Sequence, residues 1–357
     1  MARALERRAL GAVLTAAVLA ALAAGCSVSH ADKAGGSRPA KPLVLTLAAH
    51  DDDEAYSTFA AAVERLSHGA IAVKIIGNWG VTGDRRELDF ERGIIGAVRA
   101  GKVQLGIVGV RIWDTLGVDA FQALVAPFLI DSLELERRAI ESPLASRALA
   151  MVEQHGVVGI AVLPGRLRRP LGITRPLIGV EDYRGAKIGT RPGAIARRTF
   201  RALGAQPATY VPTLLSGFDG AENDPLTIAE NSYDEGARAL TGNVVLWPKP
   251  QTIVMNRRAY DSLRPAQQRI LRAAGREAVV PELERIIRDQ RFGLTTLCAA
   301  KLHVVTATPA DLAALRKAVG PVYDQLRRDP LTRRWIAEIV HVKATQMSRP
   351  DVARCPS

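Results

Sequence analysis

The stretch GFDGAEND, Gly217 to Asp224, sets three acidic side chains and an asparagine behind a turn-forming glycine. Oxygen ligands at this density suit a hard cation, but the same residues are what turns and helix starts select. They lack the regular ligand spacing of an EF-hand loop, which favours the second reading. Asp219-Gly220 then forms a tight turn, and Asp224-Pro225 forms an N-cap followed by Pro in the first helical turn. Asn223 is left as a polar contact, and Glu222 is left to orient a nearby arginine. A second acidic run, Asp51 to Asp53, follows the first predicted strand and reads as an exposed capping run rather than a cation site.

Groups for covalent or acid–base catalysis are sparse. The six histidines show no paired metal-ligand spacing. There is no G-x-S-x-G elbow and no glycine loop to cradle phosphate. An enzyme, whose constellation would have to be assembled from distant residues, is therefore the weaker alternative, and no metal or cofactor is expected. Among the four tryptophans, Trp113 in VRIWDTLG and Trp247 in VLWPKP follow strands, where cleft walls are made. Both are candidates to stack on a ligand, against the alternative of a core indole with its N–H satisfied.

The N-terminus fixes the compartment. Arg3, Arg7 and Arg8 precede an uncharged run from Ala9 to Ala24, which ends in small residues and Cys26. The run is short for a bilayer core of roughly 30 Å and reads as a signal peptide, residues 1–25. The AAGC ending points to lipidation of Cys26, with an ordinary secreted protein as the alternative. Residues 26–42, small and polar with Pro and Gly, suit a tether. In an oxidising compartment Cys298 and Cys355 either staple the C-terminal tail to the body as a disulfide or remain as two thiols. The formal charge of +12 on the full chain suggests an anionic small ligand; with no nucleic-acid motif, DNA is disfavoured.

These residues must be positioned by a body long enough for two cores. LVLTLAAH, AIAVKII and VQLGIVG read as strands separated by helical patterns, the signature of a parallel sheet with crossover helices. After a helical segment whose start is marked by the capping-box spacing of Asp131 and Glu134, VVGIAVL, PLGIT, AKIGT and QTIVMN give further strands, with a helix over GAIARRTFRALGA. From Pro265 to Lys301 the pattern is helical, and Pro281 should kink or divide it. LHVVTA adds a strand, and Thr308-Pro309 starts a helix. The fold class expected is α/β with two lobes and a ligand cleft between them. The boundaries are 43–166 plus 249–288 for lobe I, 167–248 plus 289–345 for lobe II, and 346–357 for a tail.

VDAFQALVAPFLIDS, GFDGAEND and VMNRRAYDSLRPAQQRIL, together with the signal segment, give the chain a resemblance to the extracytoplasmic solute receptors of tripartite ATP-independent periplasmic (TRAP) transporters. The resemblance runs from about Leu43 to about Glu338. It implies two α/β lobes of the periplasmic-binding-protein type, a long helix spanning both, and capture of a small organic acid for delivery to a membrane permease. By the same resemblance Asn223 faces the ligand, and Arg169 is a secondary arginine of the cleft. The principal arginine of the family falls on Gly189, in AKIGTRPGA. Arg191 lies on the same strand face roughly 6 to 7 Å further on and can pair with a carboxylate through its planar fork, with Gly189 leaving room for a bulkier ligand. A further departure is a shortened segment between GAQPATYVP and LLSGFDG, at Pro212 to Leu214. Alternatives to transport are a ligand-sensing receptor for a membrane signalling partner and an enzyme using the same cleft.

Overall fold

The computed structural model describes residues 41–357 apart from 51–55, 81–89, 211–214, 346–348 and 356–357. The signal segment, Cys26 and the run Asp51 to Asp53 lie outside the described residues. Two sheets organise the body. The first runs in the order β2 (Ile71–Ile76), β1 (Leu43–Ala48), β3 (Leu105–Gly109), β11 (Gln251–Asn256), β4 (Val157–Leu163). Its β1, β2 and β3 pair in parallel, as right-handed strand–helix–strand units require, and β11 enters antiparallel between β3 and β4. Every residue of β4 and β11 is buried, because helices cover both sheet faces; that is why VVGIAVL shows no polar alternation.

The second sheet has the order β12 (His303–Val305), β9 (Ala239–Thr241), β5 (Leu167–Gly172), β8 (Gly220–Asn223), β6 (Lys187–Thr190), β7 (Gln206–Thr209). The two-residue strand β10 (Trp247–Pro248) pairs with β5. The chain crosses between sheets twice, from β4 into β5 and from β10 into β11. The two crossings lie against each other, and Lys249 N–H donates to the Arg166 carbonyl at 3.0 Å. A Cβ on Gly165 would stand 1.7 Å from the Lys249 carbonyl oxygen, so only glycine permits this approach. Gly165 N–H donates to the buried carboxyl of Glu136 at 2.8 Å, whose pKa burial pushes well above the carboxylate range.

A helical run braces both sheets. It is divided at Ala278 into Pro265–Glu277 and Val279–Ala299. Pro281 sits in the first turn of the second helix, where its missing N–H leaves the Glu277 carbonyl without the helical bond. The first helix lies on β4, with Gly275 against Ala161, and the second on the helix Pro225–Glu230, with Gly293 against Leu226. The helix Pro330–Thr345 packs on the segments Asp119–Val125 and Leu133–Glu141. Beyond it Cys355 is disulfide-bonded to Cys298. Ala353 N–H bonds the Gly242 carbonyl, and the Asp351 carboxylate accepts from Leu133 N–H at 2.9 Å.

Local starts differ from the sequence reading in two places. The helix expected to open on Asp131 is capped by Ser132, whose hydroxyl accepts from Leu135 N–H, while Asp131 pairs with Lys343 at 2.5 Å. Ser142-Pro143 then ends Leu133–Glu141 and starts Pro143–Ala150. The turn expected at Asp219-Gly220 falls at Gly217, whose φ of 80° suits glycine, and Gly220 already belongs to β8. Thr308 and Asp224 cap their helices as their sequence contexts require.

Candidate ligand-binding site

Between the sheets lies a narrow cleft, open at its mouth, whose wall includes Arg111, Asp114, Arg168, Arg191, Glu222 and Trp247. Arg111 and Asp114 follow the carboxyl end of β3, where open α/β sheets place ligands. Arg191 follows the carboxyl end of β6. Arg168 comes from β5 and Glu222 from β8, beside the crossings.

Arg168 and Arg169 are neighbours on β5, so their side chains leave the sheet on opposite faces. Arg168 turns to the cavity. Its guanidinium is ion-paired with Glu222, donates to the Asp224 carboxylate at 2.8 Å and reaches the Glu222 carbonyl at 2.7 Å. Burial alone would lower the Arg168 pKa, but Glu222, with Tyr210 and Asp224, raises it. The two acids of GAEND are therefore the counter-charge of a buried arginine, and among the described residues no acidic cluster has the composition of a metal site. Arg169 turns the other way, toward the tail, where it donates to the Asp351 carbonyl at 3.1 Å. Its pKa is lowered to about 10 by burial, only partly offset by Asp351.

Arg111 is matched as well. It pairs with Glu91 at 2.5 Å and donates to the Pro192 carbonyl at 3.0 Å. Burial alone would raise the Glu91 pKa, but Arg111, with His50, Arg191 and Lys249, lowers it to about 2. Arg191 differs from both. Its guanidinium lies 4.9 Å from the centre of the Phe90 ring and 6.0 Å from that of Tyr210, a cation–π arrangement, and among the described residues it makes no ion pair. Burial lowers its pKa, and repulsion from Arg111 adds to this.

The other sequence-derived candidates divide. Trp247 lines the cavity and meets Phe200 edge-on at 5.7 Å. Trp113 is off the wall: it is wholly buried, and its indole N–H donates to Thr252 Oγ1 at 2.8 Å, as a satisfied core tryptophan does. Asn223 is also wholly buried, its amide 3.4 Å from the Tyr210 hydroxyl. The room expected at Gly189 is filled. A Cβ there would lie 3.1 Å from Tyr210 Cδ1 and 3.4 Å from Phe218, so the glycine accommodates an aromatic wall instead of extra ligand volume. Sequence reasoning missed Arg111, Asp114 and Arg168. The strand-end position of VRIWD was a usable signal for the first two; strand alternation at RR separates Arg168 from Arg169 only once the face is known.

Direct contacts bridge the cleft. Besides the Arg111 bond to Pro192, the Asp114 carboxylate accepts from Ala194 N–H at 2.8 Å and Ile195 N–H at 3.4 Å, at the start of the helix Ala194–Ala202. Two sheets, a double crossing and a cationic cleft that closes on itself define a periplasmic-binding-protein-like fold built to enclose a small molecule.

Residues 48–329 match the bacterial extracellular solute-binding proteins, family 7 (DctP), and the chain belongs to this family, the solute-binding receptors of TRAP transporters. It is 26% identical over 275 residues to the protein YiiZ of Salmonella typhimurium, covering 75% of this chain and 81% of that one. It is 22% identical over 282 residues to the C4-dicarboxylate-binding periplasmic protein DctP of Rhodobacter capsulatus, covering 75% and 80%. A TRAP periplasmic solute-binding protein from Xanthobacter autotrophicus, with bound β-D-galacturonate, superposes with a TM-score of 0.71 at 22% identity, over 83% of this chain and 98% of that one. The family places the protein outside the cytoplasm. Among the described residues no helix is long and apolar enough to cross a membrane.

Proposed function

We propose that this receptor captures a small organic acid by pairing its carboxylate with Arg191 in the interlobe cavity and hands it to a TRAP-type permease, acting as a binding protein and not as an enzyme. The observation that carries this reading is charge matching. Arg111 and Arg168 line the same wall but already hold carboxylates, whereas Arg191 holds only aromatic faces. A ligand carboxylate there gains charge-assisted bonds in a desolvated site. Because Arg191 comes from one lobe and Phe90 from the other, the contact is completed only when the lobes are closed, so ligand binding favours closure. Trp247 supplies an apolar wall. Arg169 and Asn223 act indirectly, behind the tail and behind Tyr210. The relatives' ligands, a C4-dicarboxylate and galacturonate, bracket the size. Cys26 is proposed as the lipid-modified residue that holds the receptor at the membrane.

The test is a thermal-shift and calorimetric panel of mono- and dicarboxylates, sugar acids and amino acids. A ligand at 100 times its Kd raises stability by about 2.7 kcal/mol. Arg191→Ala should weaken binding of the best acid by about 100-fold, from the loss of one or two charge-assisted bonds, with the melting temperature of the free protein nearly unchanged. Unchanged affinity removes Arg191 from the site, and a panel responsive only to neutral or cationic compounds overturns the acid reading.

A further inference from the structure

The C-terminal residues 349–355 join parts of the molecule that belong to different sheets. On one side is the start of the helix Leu133–Glu141, which packs on Pro143–Ala150 and through it on β4 of the first sheet. On the other is the second sheet, with Arg169 on β5 and Gly242 directly after β9. Asp351 touches both. Its N–H donates to the Asp131 carbonyl at 2.8 Å and its carboxylate accepts from Leu133 N–H at 2.9 Å, while its carbonyl accepts from Arg169 at 3.1 Å. The carboxylate stands at the N-terminal end of a nine-residue helix, where negative charge is favoured.

Beyond Asp351 the tail is fixed on the side of the second sheet. Ala353 N–H bonds the Gly242 carbonyl at 2.9 Å, and a Cβ on Gly242 would stand 2.2 Å from the Ala353 carbonyl oxygen, so the two backbones meet with no room for a side chain. Cys355 is disulfide-bonded to Cys298 in the helix Val279–Ala299, which lies chiefly on Pro225–Glu230. The helix before the tail, Pro330–Thr345, lies the other way, against Asp119–Val125 and Leu133–Glu141, with Trp335 donating to the Ala139 carbonyl and Lys343 to the Leu129 carbonyl. The chain beyond Thr345 thus passes from the side of the first sheet to that of the second, and the disulfide closes this passage covalently.

Strand alternation puts the tail on the Arg169 face of β5, away from the cavity on the Arg168 face. Its bonds are made in the same conformation in which Arg111 and Asp114 bridge the cleft. Bonds from one residue to both bodies cannot all survive a rotation of one body against the other, and a contact made in only one of two conformations favours that one. We infer that the tail is an interlobe latch: a third connection beside the two crossings, anchored on one lobe by the disulfide, with Asp351 as the hook on the other, which holds the lobes closed from the side away from the cavity. The disulfide acts by keeping the hook near its partners, as a short tether raises effective concentration. The latch is independent of the acid reading, because it is measured without ligand.

For the test, the mature chain with Cys26→Ser carries maleimide-linked fluorophores at Lys74→Cys on β2 and Thr209→Cys on β7, exposed positions on edge strands of the two sheets. Single-molecule energy transfer reads the ratio of closed to open molecules. Two populations are expected. Asp351→Ala should lower the closed-to-open ratio by about 5-fold or more, the loss of one hydrogen bond between the lobes, whereas Asp351→Asn, which keeps an acceptor for Leu133 N–H, should stay within about 2-fold. Dithiothreitol, which gives two electrons to the Cys298–Cys355 bond and becomes its own cyclic disulfide as two thiols form, should lower the ratio as Asp351→Ala does; it needs no change at position 351 and decides the matter should that variant fail to fold. A ratio left unchanged or raised by Asp351→Ala or by reduction, or a single open population before either, overturns the latch. Asp351→Asn falling as far as Asp351→Ala overturns it too, since the effect would then lie in the charge beside Arg169 and not in the bond to Leu133.

Discussion

Arg168 is buried with Glu222 and Asp224 closed around its guanidinium, and each of the three is nearly inaccessible to solvent. Such a cluster adds little net stability compared with an apolar core, yet losing one partner is costly because the remaining charge stays buried. Glu222→Gln is therefore expected to destabilise the protein by about 3 kcal/mol, read as a lower urea midpoint at unchanged slope. An effect under about 1 kcal/mol would mean that the cluster is far better hydrated than its burial implies. Arg191 obeys the opposite rule: without a carboxylate it contributes little to the free fold, so its removal should be read in ligand affinity. The difference between the two arginines is counter-charge, since both stand on one wall.

At the scale of elements, the double crossing between the sheets brings two backbones into close contact, with Lys249 N–H bonded to the Arg166 carbonyl. Gly165 permits it, because the position a Cβ would take is already occupied by the Lys249 carbonyl. Gly165→Ala requires one crossing strand to move, and the expected cost exceeds about 3 kcal/mol, the upper range of overpacking. Equilibrium unfolding checks this; a variant as stable as wild type would show that the crossings separate without cost. The disulfide between Cys298 and Cys355 closes a long loop, with a sequence separation of 57. It ties the tail to the end of the long helix while Asp351 holds Leu133. The tail thereby straps elements from both halves of the chain on the side where Arg169 lies.

For the whole molecule, closure across the cleft carries a pH dependence through Glu91, which neutralises the bridging Arg111. Its folded pKa of about 2 lies below the ordinary 4.5. Its contribution is thus fully present above about pH 4.5 and is lost as pH falls toward 2, at most roughly 3 kcal/mol. Urea midpoints between pH 6 and 3 should fall less steeply in Glu91→Gln than in wild type, and parallel curves would rule out this residue as the source. Alternation of strand and helix and the proline positions were enough to specify a two-lobe α/β fold with a long divided helix, because periodicity and backbone restriction are local properties; the receptor reading came from the family resemblance. The acidic knot was legible as cap chemistry at Asp224 and Glu222 as the partner of an arginine, though not in where its turn falls. Which arginine was decided only in three dimensions: Arg168 and Arg169 are adjacent in sequence, and strand alternation sends one to the cavity and the other to the C-terminal tail. The fate of Gly189 was settled the same way, by Tyr210 and Phe218 arriving from distant segments to fill its space. Asp114 carried no motif; it gained its place when the start of a helix from the other lobe closed over it. Sequence spacing encodes which faces pair along one element, whereas counter-charge and free volume depend on what other elements bring to the same point.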